Sequence, residues 1–173
     1  MCEPSSAEPK TLVIDQSGKS DDFARWVSPH LAAMGNLASR LAGSASRDDV
    51  VQDALTRAWR KRHLYNAERG TPRTWLLAIV ADRAGRARQR HRPHDALDAS
   101  NTPTVHAVDG TTVDVERAVA SLPPRMRLTV DCVYFVGLTI AETAVVMNVS
   151  EGTVKSTLAD ARAKLRSQLE VET

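Results

Sequence analysis

The sequence predicts an all-α protein built from two small helical domains that are joined by a flexible acidic linker. Aromatic residues make up only 4% of the 173 residues, whereas sheet proteins depend on aromatic and β-branched side chains. Apolar residues recur at helical spacing in two blocks, residues 20–92 and 113–173. Between them, residues 93–112 hold prolines, a glycine and small polar residues without an apolar period. Because a structureless stretch of about 20 residues is unusual inside one compact domain, this segment is predicted to be a linker between two domains.

Composition excludes several classes of protein. Apolar residues make up 42% and charged residues 25%, which is enough apolar material for a core and excludes wholesale disorder. No apolar run is long enough to cross a membrane, and the first 20 residues lack the apolar core of a signal peptide. The two cysteines, Cys2 and Cys132, cannot build a disulfide framework, and Cys132 is predicted to be a buried thiol. The sequence therefore predicts a cytoplasmic protein without membrane insertion.

The net charge of +2 conceals two charged segments of opposite sign. Residues 83–92 read RAGRARQRHR and contain no acid, whereas residues 93–116 contain Asp and Glu but no Lys or Arg. A basic helix end therefore adjoins an acidic linker.

Residues 1–19 are predicted to be a disordered tail. In the first block after it, proline, glycine and capping residues mark where helices begin and end. Proline and glycine stop apolar stripes, a serine followed three residues later by an acid resembles a capping box, and Thr-Pro restarts a helix. In chain order these signals are the break at Pro29, the stop at Gly43, the box of Ser46 and Asp49, the break over residues 63–70 and the restart at Thr71-Pro72.

The second block is divided by similar signals. They are the stop at Pro123-Pro124, the stop at Gly137, the capping box of Thr139 and Glu142, the turn over residues 148–150 and a last apolar stripe from Val154 to Leu169.

Residues 138–165 have the pattern of a helix-turn-helix, LTIAETAVVMNVSEGTVKSTLADARAKL. The second helix of this pattern has an apolar back, and its other face carries small polar and basic side chains that can approach base edges. Its N-terminal amides suit a phosphate. An ordinary helical hairpin is the alternative, but the caps, the turn length and the face pattern together favour DNA binding. The DNA-facing residues are predicted to be Glu151, Gly152, Thr153, Lys155, Ser156 and Arg162.

Other chemistry finds little support in the sequence. The arginine run is less specific than the helix-turn-helix, since positive charge also suits a helix C-terminus. His91 and His94 form an H-x-x-H, but Pro93 breaks the helix that would align them. No glycine-rich phosphate loop or nucleophile-and-base set is evident. No metal, cofactor or catalytic activity is therefore predicted.

Two segments resemble the extracytoplasmic-function (ECF) sigma factors. Residues 46–92 resemble region 2 of that family through VVQDAL, RAW, a loop with ERG, TWLLAI and an Arg-rich end. Residues 113–169 resemble region 4 through LPPR, LTIAETA and EGTVKS, in the family's order and spacing. The resemblance implies a non-enzymatic factor that binds core RNA polymerase and directs it to promoters.

The resemblance also implies roles for particular residues. The helix over residues 48–61 would dock on the polymerase clamp helices through Asp49, Gln52, Asp53, Arg57 and Arg60. The loop over residues 63–70 and the following helix would melt the −10 element and hold a flipped base, with Tyr65 as the stacking residue. Region 4 would read the −35 element, the acidic linker would enter the polymerase channel, and family members are often held by an anti-sigma factor. The −10 contacts are expected from Tyr65, Asn66, Arg73, Asp82, Arg83, Arg86 and Arg90.

The sequence departs from the family pattern at four positions. Thr157 and Asp160 stand where basic residues are usual, so region 4 is expected to grip phosphates more weakly. Asp82 replaces a common Asn; its carboxylate suits phosphates poorly but can accept from a cytosine amino group. Gly85 replaces a larger apolar residue and weakens its helix by about 1 kcal/mol relative to Ala.

Two other functions are compatible with the residues. An autonomous helix-turn-helix regulator would bind duplex DNA alone, whereas a sigma factor should need core polymerase. A sigma-like adaptor would bind polymerase or a regulator without productive promoter binding, for which the departures at Thr157 and Asp160 are the only support. The free protein is also expected to have two independently moving domains, because the linker lacks an apolar period.

Overall fold

The structure, a computed structural model, describes residues 20–44, 46–91 and 110–171. All regular structure in these ranges is helical, which confirms the predicted all-α class. The predicted tail over residues 1–19 and most of the predicted linker lie outside the described residues. The helices are α1 (Ser20–Val27), α2 (Leu31–Ala42), α3 (Arg47–Lys61), α4 (Pro72–His91), α5 (Gly110–Ser121), α6 (Pro124–Val130), α7 (Ile140–Met147) and α8 (Glu151–Val171).

In the first domain α2, α3 and α4 pack against one another around an apolar core. Leu37 of α2 and Leu77 of α4 are fully buried there. Ala54 and Ala58 form the buried face of α3 at a spacing of four residues, and their small side chains permit close approach to α4. The opposite, polar face of α3 is thereby directed outwards.

Most of the few aromatic residues are concentrated in one cluster of the first domain. The Trp26 ring lies 5.4 Å from the Tyr65 ring and 6.0 Å from the Trp75 ring, and the Phe23 and Trp59 rings are 5.1 Å apart. The cluster attaches α1 and the loop before α4 to the start of α4. These rings therefore position the loop that sequence analysis assigned to the −10 element.

The second domain is a smaller assembly of α5, α6, α7 and α8. Its own apolar cluster contains Val119, Leu122, Val130, Leu158 and Ala161. Between α6 and α7 the chain forms a π-helical turn, Asp131–Phe135, which the sequence did not predict. Gly137 follows this turn with a φ of 74°, a value that glycine adopts without strain.

The two domains are packed against each other. α7 lies on α4, and the π turn contacts α2. Cys132, Val136, Leu138 and Val146 of the second domain belong to the same buried cluster as the first-domain core. In this structure the second domain therefore buries apolar side chains against the first. The independent movement of the domains in the free protein stays a prediction, and this shared burial opposes it.

Two local predictions also need correction. Ser46 precedes α3, but its side chain makes no capping hydrogen bond, and its φ and ψ of −99° and 2° lie outside the extended conformation of a capping serine. α5 begins at Gly110, within the predicted linker. By contrast Gly43 ends α2 with a φ of 83°, and Cys132 is fully buried, as predicted.

Candidate functional site

The helix-turn-helix is formed by α7 and α8. Thr139 accepts from the backbone N–H of Glu142, and the Glu142 carboxylate accepts from the Thr139 backbone N–H at 2.9 Å, which completes the predicted capping box. Asn148 adopts the left-handed conformation with a φ of 52° and turns the chain between the helices. Ser150 then caps α8 by accepting from the Thr153 backbone N–H at 3.1 Å. These local contacts fix the angle at which α8 leaves the turn.

The N-terminal part of α8 is accessible. Val154, Leu158 and Ala161 bury its apolar back against the second domain. Thr153 is half-buried, and its backbone carbonyl accepts from the Ser156 hydroxyl at 3.1 Å. The exposed residues among those predicted to face DNA are Glu151, Gly152, Lys155, Ser156 and Arg162. The structure therefore places the predicted −35 residues together on one helix.

Arg162 is held by an aromatic residue that sequence analysis did not single out. Its Nε donates to the Tyr134 hydroxyl at 2.8 Å, and its guanidinium lies 5.7 Å from the Tyr134 ring centroid. Of the two α8 positions where basic residues are usual in the family, Asp160 is exposed and Thr157 is half-buried. Tyr134 thus directs the one basic side chain predicted to extend the DNA face along α8.

The predicted polymerase-docking residues share the outer face of α3. Asp49, Gln52 and Arg60 are exposed, and Arg57 is half-buried. Asp53 differs because its carboxylate lies 3.1 Å from the Arg83 guanidinium of α4. Asp53 therefore joins α3 to α4 within the first domain and is less available to a partner than the other four.

The predicted −10 residues on α4 pair with one another. The Arg83 side chain is only 15% exposed and points towards Asp53. Asp82 lies 3.2 Å from Arg86 and 3.8 Å from Arg83, so its carboxylate neutralises two arginines of the basic run. The side chain of Arg90 lies outside the described residues. The basic surface of α4 is consequently smaller than the sequence alone indicates.

The loop before α4 is ordered by its own contacts. Tyr65 donates to the Gly70 carbonyl at 3.3 Å while its ring packs between Trp26 and Trp75. Burial raises the pKa of Tyr65. The side-chain oxygen of Asn66 accepts from the Glu68 backbone N–H at 2.8 Å. In this conformation the Tyr65 ring is occupied by protein neighbours rather than free to stack on a base.

A large pocket lies between this loop and the helix-turn-helix. Its volume is about 760 Å³. Leu64, 59% exposed, borders it, and no pattern in the sequence distinguished this side chain from the rest of the loop. On the first-domain side the pocket is lined by Leu64, Asn66, Arg69, Gly70, Thr74, Trp75 and Ala78, and on the second-domain side by Ala141, Val145, Asn148 and Glu151, among others.

Arg73 contacts the second domain. Its guanidinium donates to the Val136 carbonyl oxygen at 2.6 Å. His30 lies in the same electrostatic environment, since burial and the Arg73 charge lower its pKa. A residue predicted to bind the −10 element is thus engaged by the partner domain.

The described ranges contain no group of three or more metal-ligating side chains. Likewise, none of the helices within them is both long and apolar enough to cross a membrane. The H-x-x-H of His91 and His94 falls on positions whose side chains are not described.

Comparisons with known proteins match both domains. Residues 26–94 match the family Sigma-70 region 2, and residues 112–165 match Sigma-70, region 4. The ECF RNA polymerase sigma factor SigL of Mycobacterium tuberculosis (strain ATCC 25618 / H37Rv) is 30% identical over 150 residues, covering 82% of this chain and 85% of SigL. SigM of the same strain is 33% identical over 148 residues, covering 84% of this chain and 74% of SigM.

Solved structures share the fold. The sigma factor RpoE in complex with the anti-sigma factor NepR from Bartonella quintana has a TM-score of 0.68 and 23% identity, and covers 88% of this chain and 99% of that one. CnrH in complex with the cytosolic domain of CnrY also has a TM-score of 0.68, with 24% identity, and covers 91% of this chain and 93% of that one.

A helical domain of the region 2 type followed by a helix-turn-helix of the region 4 type defines a sigma-70 family protein. Within that family the chain belongs to the ECF sigma factors. It is an alternative sigma factor that directs transcription initiation, and sigma factors are regulatory proteins.

Proposed function

We propose that promoter recognition is divided among three surfaces of this sigma factor: α3 binds core RNA polymerase, the loop before α4 together with α4 engages the −10 element, and α8 reads the −35 element. The observation that carries the proposal is the exposure of the α8 N-terminus beyond a fully capped turn, in a chain that also presents the outer face of α3. In these roles the protein is a cytoplasmic initiation factor and has no catalytic activity of its own.

α8 supplies the duplex-reading surface. The exposed start of α8 carries Gly152, which has no side chain, and Ser156, whose side chain is small, so both permit close approach to base edges. The backbone N–H groups of its first turn and the charge of Lys155 suit phosphates. Arg162, oriented by Tyr134, extends the phosphate contacts along the helix.

The first-domain wall of the pocket before α4 accepts an unstacked base of the −10 element. Flipping a base costs a few kcal/mol, which a shaped pocket and stacking offset. Leu64 and Trp75 supply apolar contact, and the exposed amide group of Asn66, whose oxygen accepts from the Glu68 backbone N–H, can donate through its nitrogen. Tyr65 supports the pocket from behind through its contact with Trp75.

α3 supplies the polymerase contact through Asp49, Gln52, Arg57 and Arg60. Asp53 belongs to the same face, but its ion pair with the poorly exposed Arg83 gives it a structural role as well. A charge reversal at Asp53 would therefore disturb the first domain, and tests of docking should avoid it.

An anti-sigma factor is the regulatory partner that this proposal includes. Both structural relatives are bound to another protein: the sigma factor RpoE to the anti-sigma factor NepR, and CnrH to the cytosolic domain of CnrY. Their similarity of fold supports a partner of the same class for this chain.

Reconstitution with core RNA polymerase on genomic DNA, followed by mapping of start sites, tests the function. We expect defined start sites that depend on the chain and on core enzyme, and little duplex binding by the chain alone. Duplex binding without core at the same strength would instead favour an autonomous regulator. Core binding without transcripts would favour an adaptor.

The docking surface is tested by exchanging charges. The double variant Asp49→Arg with Arg60→Glu should lose co-purification with core while retaining its helical circular dichroism. The matched control exchanges the exposed pair Asp114 and Arg117 of α5, which lie 3.3 Å apart. Co-purification of the α3 variant at the yield of this control would contradict the α3 assignment.

A further inference from the structure

Tyr134 and Arg162 form an exposed pair of hydrogen-bonding side chains in the second domain. Arg162 Nε donates to the Tyr134 hydroxyl oxygen at 2.8 Å. Tyr134 belongs to the π turn and Arg162 to α8, so the pair joins two elements that are distant in the chain. Tyr134 is 53% exposed, and Arg162 is exposed as well. Two polar side chains from different elements therefore meet at the surface of the domain.

The geometry of this pair leaves most of its donors directed outwards. A tyrosine hydroxyl has one hydrogen, and since its oxygen here accepts from Arg162, that hydrogen is left for a further acceptor. The guanidinium uses Nε for Tyr134, so its two Nη groups keep the forked end that matches a phosphate. Within the described residues Arg162 forms no ion pair, whereas Arg83 and Arg86 of α4 are paired with carboxylates. The pair therefore combines an unneutralised charge with a neutral donor beside it.

The charges of α8 around the pair have an ordered arrangement. Lys155 lies seven residues before Arg162 and Arg166 four residues after it, and all three are exposed, so they form one positive stripe along the helix. Asp160 projects about 200° around the helix from Arg162. The face of Gly152 lies between these two positions, so Asp160 borders it on the other side. The stripe that contains Arg162 is thus basic along its length.

The distance of the pair from the start of α8 matches the DNA backbone rather than the base edges. Arg162 follows Gly152 by ten residues, which is about 15 Å along the helix axis. The major groove of B-DNA is about 12 Å wide. A helix whose start lies in the groove therefore carries Arg162 beyond the groove edge, to the phosphates that border it.

We propose that Tyr134 and Arg162 together hold one phosphate of the −35 duplex, Arg162 through its two Nη groups and Tyr134 through its hydroxyl. This phosphate clamp rests on the proposed function of α8 and adds to it a contact from outside that helix. Because the bond to Tyr134 orients the guanidinium before DNA arrives, less side-chain freedom is lost on binding. Phosphate contacts position a protein on the duplex, so the clamp sets how the second domain is placed on the −35 element and leaves base preference to the start of α8.

Binding of reconstituted holoenzyme to a promoter obtained by start-site mapping tests the clamp. Tyr134→Phe keeps the ring and removes only the hydroxyl. It should weaken binding about tenfold, as expected for a hydrogen bond to a charged group. The log–log salt slope should stay unchanged, because a neutral hydroxyl releases no counterion from DNA. Arg162→Ala should weaken binding as well, and should make the slope shallower by about 0.9.

The matched control is Arg117→Ala, which removes an exposed arginine of the same domain whose partner, Asp114, lies on its own helix. Its affinity and slope should equal those of the parent. Parent affinity in a folded Tyr134→Phe chain would overturn the clamp. A shallower slope in that variant would also overturn it, because Tyr134 would then act only by orienting Arg162.

Neutral methylphosphonates locate the contact when they replace the phosphates of the −35 element one at a time. At one position the replacement should weaken binding by the parent, and Tyr134→Phe should there cause less than about a twofold further loss. At the other positions the tenfold loss from Tyr134→Phe should persist. An equal loss at every position would overturn the clamp, because it would mean that the hydroxyl only supports the second domain.

Circular dichroism checks that the variants fold. If Tyr134→Phe loses helical signal, Arg162→Lys decides the result, since it keeps the charge but lacks the forked end and Nε. It should bind several-fold more weakly with an unchanged salt slope, and parent affinity would overturn the clamp. A parent holoenzyme that gives no start sites would overturn the proposed function and the clamp with it. A parent that initiates normally, beside a Tyr134→Phe chain of equal affinity, would overturn the clamp alone.

Discussion

The first domain encloses its core within its own helices, whereas the second completes its core against the first. Five of the seven aromatic residues and the fully buried Met34, Leu37, Leu76 and Leu77 belong to the first domain. The second has a small cluster of its own around Leu158, and it buries Cys132, Val136, Leu138 and Val146 in the first domain's cluster. A domain that shares its core in this way gains stability from closure, so regulation of closure and stability of the second domain are linked.

Titration of Cys132 tests the shared part of the core most strongly. Burial, with a smaller contribution from the Asp131 charge, raises the pKa of Cys132 from 9.0 to about 12. At pH 8 its thiolate fraction should therefore be about a thousandfold lower than that of an exposed thiol. The pKa of this thiol is higher in the folded chain than in the unfolded one. Ionisation of Cys132 therefore leaves the free energy of unfolding unchanged below pH 9 and lowers it as the pH rises towards 12.

The measurement is thiolate absorbance of the Cys2→Ser chain between pH 7 and pH 12, with a urea-unfolded sample as the control. A folded chain that titrates near pH 9 would show that Cys132 is exposed and that the cores are not shared.

Truncation of Leu158 separates the second domain's own core from the shared one. Leu158→Ala should cost about 2–5 kcal/mol, because it leaves a cavity in a small cluster that α8 supports. All three tryptophans lie in the first domain, so their fluorescence reports that domain alone while circular dichroism reports both.

In the parent chain the two signals should melt together, and in Leu158→Ala circular dichroism should decline first. Leu165→Ala, at a half-buried position of the same helix, should have a smaller effect. Coincident transitions in both variants would mean that the second domain has no separable stability.

The helix caps allow two similar substitutions to be compared, with a smaller expected loss of stability than in the core. Thr139 and Glu142 form a complete capping box, whereas the Ser46 side chain makes no capping bond. Thr139→Ala should therefore lower the free energy of unfolding by about 1 kcal/mol, and Ser46→Ala should change it little. Urea denaturation of both variants measures the difference, and equal losses would contradict the cap assignment.

The smallest expected effect concerns the phosphate contacts of α8. Asp160 is exposed, so Asp160→Arg removes a repulsion and adds one positive charge near DNA. If the new side chain reaches one phosphate, the log–log salt slope of promoter binding by holoenzyme should steepen by about 0.9, with little change in base preference.

Thr157→Arg is the comparison variant, because it adds a positive charge at a half-buried position of the same helix and should steepen the slope less. An unchanged slope in the Asp160 variant, measured across a salt series, would place this face of α8 away from DNA.

The helices and the helix-turn-helix could be predicted from the sequence because their signals are local. Thr139 with Glu142, Asn148 and Ser150 are neighbours in sequence and remain so in space, and each formed the expected contact or turn. Ser46 shows the limit of such signals, since a capping serine also needs an extended backbone, which Ser46 does not adopt.

The contacts between the domains could not be predicted in this way. Arg40 and Asp131 are separated by 91 residues, and only packing decides that they meet. An isolated acid within an apolar run, Asp131 beside Val130 and Cys132, was the one available hint of a buried partner. Tyr65 was assigned to base stacking because it is the aromatic residue of its loop, but the Trp26 and Trp75 rings are near enough to engage it.

The π turn at Asp131–Phe135 has a consequence for insertions and deletions in this segment. A π turn contains one residue more than an α-helix would over the same length, and the extra residue is absorbed locally. Removal of a single residue from this turn would therefore let α6 continue as a regular α-helix with its flanks in their present register, and Arg127 would still face Arg40. The same deletion within a regular α-helix such as α8 would turn the segments on either side by about 100° relative to each other. The π turn is thus a place where the second domain can lose one residue and keep its contact with the first.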